Sequence, residues 1–160
     1  MLQVLDSDEE FLIGFRSNIV VIFWGRTTLE RIQRIGVAQA KVLEQLKDTG
    51  FGSFNVILPR RGTDALPGVQ EERDRLLTLC EPYTIAGAIV IEGTGMLATA
   101  TRATYNAVEK IRPGKFPQKL FGTIDEAASW LVPQCTARTG DTLSVKDLAW
   151  DVTAARGIRI

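Results

Sequence analysis

The chain has 160 residues, 45% of them hydrophobic and 24% charged, a length and balance that suit one globular domain with a single core. Lys plus Arg and Asp plus Glu number 19 each, so no net charge draws the chain to nucleic acid or to an anionic membrane. There is no histidine, which excludes Ser-His-Asp and Cys-His triads and histidine-held metal from this chain and leaves any catalysis to carboxylates, Lys, Tyr or backbone dipoles.

Cys80 and Cys135 form no CxxC motif, and Cys80 falls among Leu76, Leu77 and Leu79, where a free cysteine acts as a small hydrophobe. No basic, then apolar leader and no apolar run of about 18 residues is found. The expectation is a soluble, cytoplasmic protein with no cofactor.

Along the chain, residues 2–16 contain two short β-like runs around the turn signal Asp6-Ser7-Asp8-Glu9-Glu10, which predicts an antiparallel hairpin. Ile19–Trp24 is β-branched and aromatic without alternation, as in a strand covered on both faces. Thr27 with Glu30 predicts a capping box for a helix carrying Leu29, Ile32, Ile35, Val42, Leu43 and Leu46, stopped at Gly50. Phe54–Leu58 is a strand closed by Pro59.

The polar loop 60–68 leads to a helix through Val69, Leu76, Leu77 and Cys80. The strand Ile85–Ile91, its glycine turn, and a helix from Met96 to Ile111 follow. Lys119–Gly122 is a last short strand, and Thr123 with Glu126 is a second capping box opening a helix that Pro133 is expected to end. Residues 134–142 read as loop and Ser144–Arg156 as another helix. Alternating strands and helices imply parallel pairs joined by right-handed crossovers. The expected fold is α/β: a mostly parallel sheet with an antiparallel N-terminal hairpin, helices packed against it, a domain over residues 1–132, and a C-terminal helical extension, 133–160, packing on the domain or on a partner.

The strand Ile19–Trp24 with its capped helix, the strands Phe54–Leu58 and Ala88–Ile91, and the ending Lys119-Leu120-Phe121-Gly122-Thr123-Ile124-Asp125-Glu126-Ala127-Ala128-Ser129-Trp130-Leu131 together resemble the STAS domain of anti-sigma-factor antagonists, and more closely the STAS-like or SpoIIAA-like small bacterial proteins. The resemblance implies a non-enzymatic protein-interaction module in bacterial regulation or signalling. It also implies a phospho-switch in the loop after the third strand. Here that loop is Arg60–Gly68, without the family's Asp-Ser-Ser-Gly-like motif; its only hydroxyl is Thr63, with Arg60 and Arg61 placed to neutralise a phosphate.

Other residues suggest other chemistry. Gly93-Thr94-Gly95-Met96-Leu97-Ala98 matches G-x-G-x-x-A between a strand and a helix, a candidate anion or nucleotide turn, though glycines also simply permit a tight turn. Glu92, Asp125 and Asp64 fall near strand ends and would serve acid–base work or Mg²⁺ only if they converge. Arg102, Lys110, Arg112, Lys115 and Lys119, with Tyr105 and Phe116, form a basic run that suits a phosphate-rich partner or a solvated face. In the tail, Leu148, Trp150 and Val152 are candidates for a partner-binding or dimerisation helix. The favoured expectation is a module contacting another protein or a second copy, not nucleic acid or a membrane; the alternative is a small-ligand protein using the Gly93–Gly95 turn.

Overall fold

The computed structural model describes residues 1–58, 66–111 and 114–157. It contains one six-stranded sheet whose spatial order is the chain order: β1 (Gln3–Ser7), β2 (Phe11–Arg16), β3 (Ile19–Trp24), β4 (Phe51–Ile57), β5 (Thr84–Val90) and β6 (Gln118–Phe121). The first three strands pair antiparallel and β3 to β6 pair parallel, as the hairpin signal and the alternation predict. The helices are α1 (Leu29–Leu46), α2 (Val69–Cys80), α3 (Met96–Ile111), α4 (Ile124–Thr139) and α5 (Val145–Gly157).

Handedness distributes those helices. Strands added one after another in a single direction through right-handed crossovers put every crossover helix on the same side. Ile35, Ala38 and Val42 of α1 and Cys80 of α2 therefore pack on Phe11, Ile13, Val20, Ile22 and Phe51, and Ala98 and Tyr105 of α3 pack on Ile89, Ile91 and Leu120. The other face of the sheet is just as apolar: Ile19, Val21 and Phe23 of β3, Phe54 and Val56 of β4, and Ala86, Ala88 and Val90 of β5. No crossover reaches it. Helices α4 and α5, which follow the last strand, cover it with Ile124, Ala127, Leu131 and Cys135, and with Leu148, Val152 and Ala155.

Two expectations are corrected at this level. The cap of α1 is Thr28, whose Oγ1 accepts from the Arg31 N–H at 3.2 Å; Thr27 is buried instead. Pro133 does not stop α4, which runs on to Thr139 and ends on the left-handed Gly140 (φ 67°). An internal proline costs about 3 kcal/mol, but ending the helix there would leave Cys135 and the sheet beneath it uncovered, and each buried aliphatic side chain of α4 returns about 1.5–3 kcal/mol. A division at 132/133 thus falls inside α4. Residues 133–157 pack on the sheet and contribute to its core, the first of the two arrangements expected for them.

Close contacts lock α4 to the sheet. Gly52 of β4 sits where any Cβ would run into Cys135 Sγ, with Leu131 Cδ1 3.3 Å away. Asn18, almost fully buried, donates from Nδ2 to Gly50 O (3.3 Å) and Cys135 O (3.2 Å), tying the start of β3, the turn before β4 and α4 together. On the opposite face, Arg34 of α1 grips Asp6 with two N–H donors (2.9 and 2.6 Å) and lies 4.7 Å over the Phe11 ring, while Arg31 and Arg34 both reach Asp8.

The Arg34 hydrogen bonds hold the Asp6 carboxyl below its ordinary 3.8, against partial desolvation. At Asp8 desolvation pushes upward, but the Glu10 and Phe11 N–H donors and Arg31 outweigh it, and its carboxyl also lies low.

Gly52→Ala is expected to lower stability by about 1–3 kcal/mol through overpacking, read as a melting temperature several degrees lower, and Cys135→Ala should restore part of that loss in the double mutant; additive losses would show that the two do not touch. Because the Asp6 and Asp8 carboxyls are depressed in the folded state, the unfolded chain binds more protons as pH falls. Their stabilisation is complete above the ordinary carboxylate range and is lost as pH drops through their lower folded values. Acid titration of Arg34→Gln should accordingly show a shallower decline of stability below about pH 4 than the unaltered chain.

Candidate functional site

Ligands of open α/β sheets gather outside the C-terminal ends of the parallel strands, and that edge here holds the glycine turn. Past β5 the N–H of the buried Ile91 donates to Phe121 O at 3.1 Å. Gly93 turns the chain at φ 97°, a conformation that favours glycine. Arg102 of α3 folds back and donates from Nη2 to Ile91 O and to Gly93 O (2.6 Å). Helix α3 starts with Thr99 N–H bonded to Gly95 O at 3.0 Å. A Cβ on Gly95 would meet nothing within 4 Å, and Met96 is 91% exposed. So Gly93 is required by backbone shape, whereas Gly95 is not. Thr94 and Gly95 face open solvent.

Glu92 forms an ion pair with Arg156 of α5. Asp125 is exposed in the first turn of α4, where a negative charge is favourable beside the unpaired N–H groups. Asp64 lies outside the described residues, as do Arg60, Arg61 and Thr63 of the expected phospho-switch loop. Among the described residues no three of Cys, Asp and Glu gather so as to hold a metal.

The described members of the basic run each meet a different partner. Arg102 is engaged by carbonyls, Lys115 pairs with Glu81 at 3.3 Å, and Lys119 Nζ lies 5.4 Å over the Trp130 ring. Arg112, and the side chain of Lys110, are outside the described set. Both thiols are buried and desolvation raises them, Cys80 to about 11 and Cys135 to about 12, so neither supplies a thiolate near neutral pH.

The tail residues part company. Leu148 and Val152, expected at a partner interface, are fully buried in the chain's own core, because they fill the crossover-free face of the sheet. Trp150 alone points away, 75% exposed. Around it on the outer side of α5 lie Lys146, Asp147, Thr153 and Ala154, all exposed. Elsewhere, an open depression of about 460 Å³ runs along the outside of α2, lined by Glu71, Asp74, Arg75, Thr78 and Leu79, with Arg75 already paired to Glu72. No described helix is long and apolar enough to cross a membrane.

Fold and surface therefore define a three-layer α/β protein with a six-stranded mixed sheet and an aromatic side chain standing free on its last helix. Compared with known proteins, the chain matches no family model, no curated protein and no solved structure.

Two polar residues with structural consequences escape the pattern reading. Asn18 looks like a turn residue but is a buried tether. Asn55 looks incidental in an apolar strand, yet its Oδ1 accepts from Trp24 Nε1 at 2.9 Å; the signal was its i, i+2 spacing from Ser53, two polar groups on one face of a central strand.

Gly93→Ala is expected to cost about 1 kcal/mol from its left-handed backbone, while Gly95→Ala should leave stability unchanged or slightly raised. Chemical denaturation of the two variants decides this; equal losses would mean that both glycines serve the turn.

Proposed function

We propose that this chain is a non-enzymatic protein-interaction module of STAS-like kind, acting in bacterial cytoplasmic regulation by contact with another protein or with a second copy of itself. The observation that carries the reading is Trp150, three-quarters exposed on a helix whose opposite side is fully buried. A tryptophan presents a large apolar surface that water solvates poorly, and such rings are over-represented among the residues that dominate binding energy.

What supports a non-catalytic role is the state of the reactive groups: protonated buried thiols, carboxylates that are paired or at a helix start, and no histidine. What supports the STAS-like reading is that the segments carrying the resemblance, β3 with α1, then β4, β5, and β6 with α4, form one contiguous sheet with its cover. The rival reading, a phosphate or nucleotide on Gly93-Thr94-Gly95, has the open space above Gly95 in its favour.

Trp150→Glu should change stability by no more than about 0.5 kcal/mol, as expected for an exposed site, and weaken association by at least about 2 kcal/mol, roughly thirtyfold. Sedimentation across a concentration series tests self-association, and quantitative capture of bacterial extract by both forms tests a partner. Indistinguishable behaviour of the two forms in both assays would remove Trp150 from any interface.

A further inference from the structure

The sheet has two outer strands, and they are not guarded alike. β1 carries the register shift between Val4 and Asp6 and the carboxylates clamped by Arg31 and Arg34, features that deter a further strand. β6, the last strand at the other end, pairs with β5 in unbroken register from Gly87↔Gln118 to Val90↔Phe121. In a parallel ladder each residue turns its backbone groups toward one neighbour, and successive residues alternate. Gly87 N–H donates to Pro117 O at 2.8 Å and Ile91 N–H to Phe121 O at 3.1 Å, so Pro117, Lys119 and Phe121 face β5. The N–H and C=O of Leu120 therefore point outward from the edge. A lysine often guards such a strand, but Lys119 is folded onto the α4 face, its Nζ 5.4 Å over the Trp130 ring.

The helix above this edge is short of charge. Between Met96 and Ala107 the only charged residue is Arg102, and it is engaged by Ile91 O and Gly93 O. Two contacts orient α3. Arg102 Nη2 lies 4.0 Å from where a Cβ on Gly122 would stand, so that flank leans over the end of β6. Tyr105, on the other flank, feels the charge of Arg73 on α2. At about 100° per residue, Thr99, Ala103 and Asn106 continue round the Arg102 flank and overhang β6, and all three are exposed. Solvent-facing helix surfaces ordinarily carry charged side chains; this flank offers a hydroxyl, a methyl and an amide.

Joining two copies edge to edge accounts for both features. An antiparallel pair of β6 strands about a two-fold axis at Leu120 lets the two Leu120 residues exchange N–H···O bonds. It also sets Lys119 opposite Phe121 of the second copy rather than opposite a second lysine. Paired strands lie about 4.8 Å apart, and α3 crosses over the line between β5 and β6, so the two α3 axes fall about 10 Å apart, the separation of packed helices with small side chains between them. Leu120 packs with Ala98 and Tyr105, which brings the axis past α3 beside Ala103. A flank about 24 Å long and three layers deep gives on the order of 700 Å² per copy, close to the roughly 800 Å² per partner of a stable interface.

We propose that two copies of this chain associate through β6 and the adjoining flank of α3, joining their six-stranded sheets into one. The surface excludes Trp150 on α5 and goes beyond the interaction reading, whose failure would leave it standing.

Sedimentation of the full chain from about 1 μM to about 1 mM is expected to show a monomer–dimer equilibrium. Exchange of the Leu120 amide with deuterated solvent should slow at least about tenfold across that range, as an outward N–H becomes bonded. Ala103→Glu sets like charges beside the axis and should weaken dimerisation at least about tenfold, while the monomer stays as stable as before because the site is exposed. Ala103→Lys alone should act in the same way, and mixing the two variants should restore the dimer. Trp150→Glu should dimerise as the unaltered chain does.

A chain that stays monomeric throughout overturns the proposal, as does a dimer whose Leu120 amide exchanges at one rate at every concentration. So does association that Ala103→Glu leaves intact; if Trp150→Glu abolishes it instead, the contact lies on α5. Protection of the Leu120 amide only on adding bacterial extract likewise overturns it, and gives the edge to a strand of another protein.

Discussion

The right-handed crossover governs this molecule more than any single contact. Once β3, β4, β5 and β6 are laid down consecutively in one direction, α1, α2 and α3 must share a face, and the reverse face, carrying Phe23, Phe54, Val56 and Val90, is left to whatever follows β6. A bare apolar sheet face of that size could not stay in water. The last third of α4 and the whole of α5 therefore belong to the fold. That requirement explains a helix running through Pro133, a strand glycine at 52 pressed against Cys135, and an asparagine at 18 bonded to the Cys135 carbonyl. Each is a device for bringing one late helix close to an early strand.

The hairpin at the other end of the sheet is held by different physics. β1 is an edge strand, and much of it is exposed. Hydrophobic cover alone is thin there, so Asp6 and Asp8 are clamped from α1 by Arg34 and Arg31, with Arg34 also lying over Phe11. Charged, bent edges of this kind discourage further strand addition, and the pairing between β1 and β2 does shift register between Val4 and Asp6. One arrangement of carboxylates thus fastens the edge and closes it to neighbours, and it makes the fastening sensitive to acid.

The sequence declares most of this architecture and little of its surface. Runs such as Ile19–Trp24 and Ala86–Ile91 are apolar on every position, so their burial on both faces is legible, and with the handedness rule so is the mixed sheet. The turn chemistry is legible to within a residue: Thr123 caps α4 as expected, whereas Thr28 takes the role that Thr27 was expected to fill. The tail was not legible, because periodicity in 144–156 shows which residues lie on one side of a helix but not whether the chain itself or a partner covers that side. Leu148 and Val152 turned inward and Trp150 outward for the same reason, a helix seeking the uncovered face. The glycine turn at 93–95 stands between β5 and α3 where the sequence places it, whereas the spacing of Glu92 and Asp125 in the sequence says nothing of which partner each meets: Arg156 for Glu92, and the first turn of α4 for Asp125.

β4 shows the difference between the two faces of the sheet residue by residue. Its Gly52, Phe54 and Val56 face the continuous core that carries α4 and α5, while its Ser53 and Asn55 face the divided core under α2 and α3. A tightly packed layer resists displacement, because filling it leaves no low-energy alternative, whereas a layer interrupted by a polar strip has room to repack. The continuous layer lies under the helix that displays Trp150, and the Trp24–Asn55–Ser53 hydrogen bonds lie in the interrupted one. A strand with glycine and phenylalanine on one side and serine and asparagine on the other writes the difference between the two faces directly into the sequence.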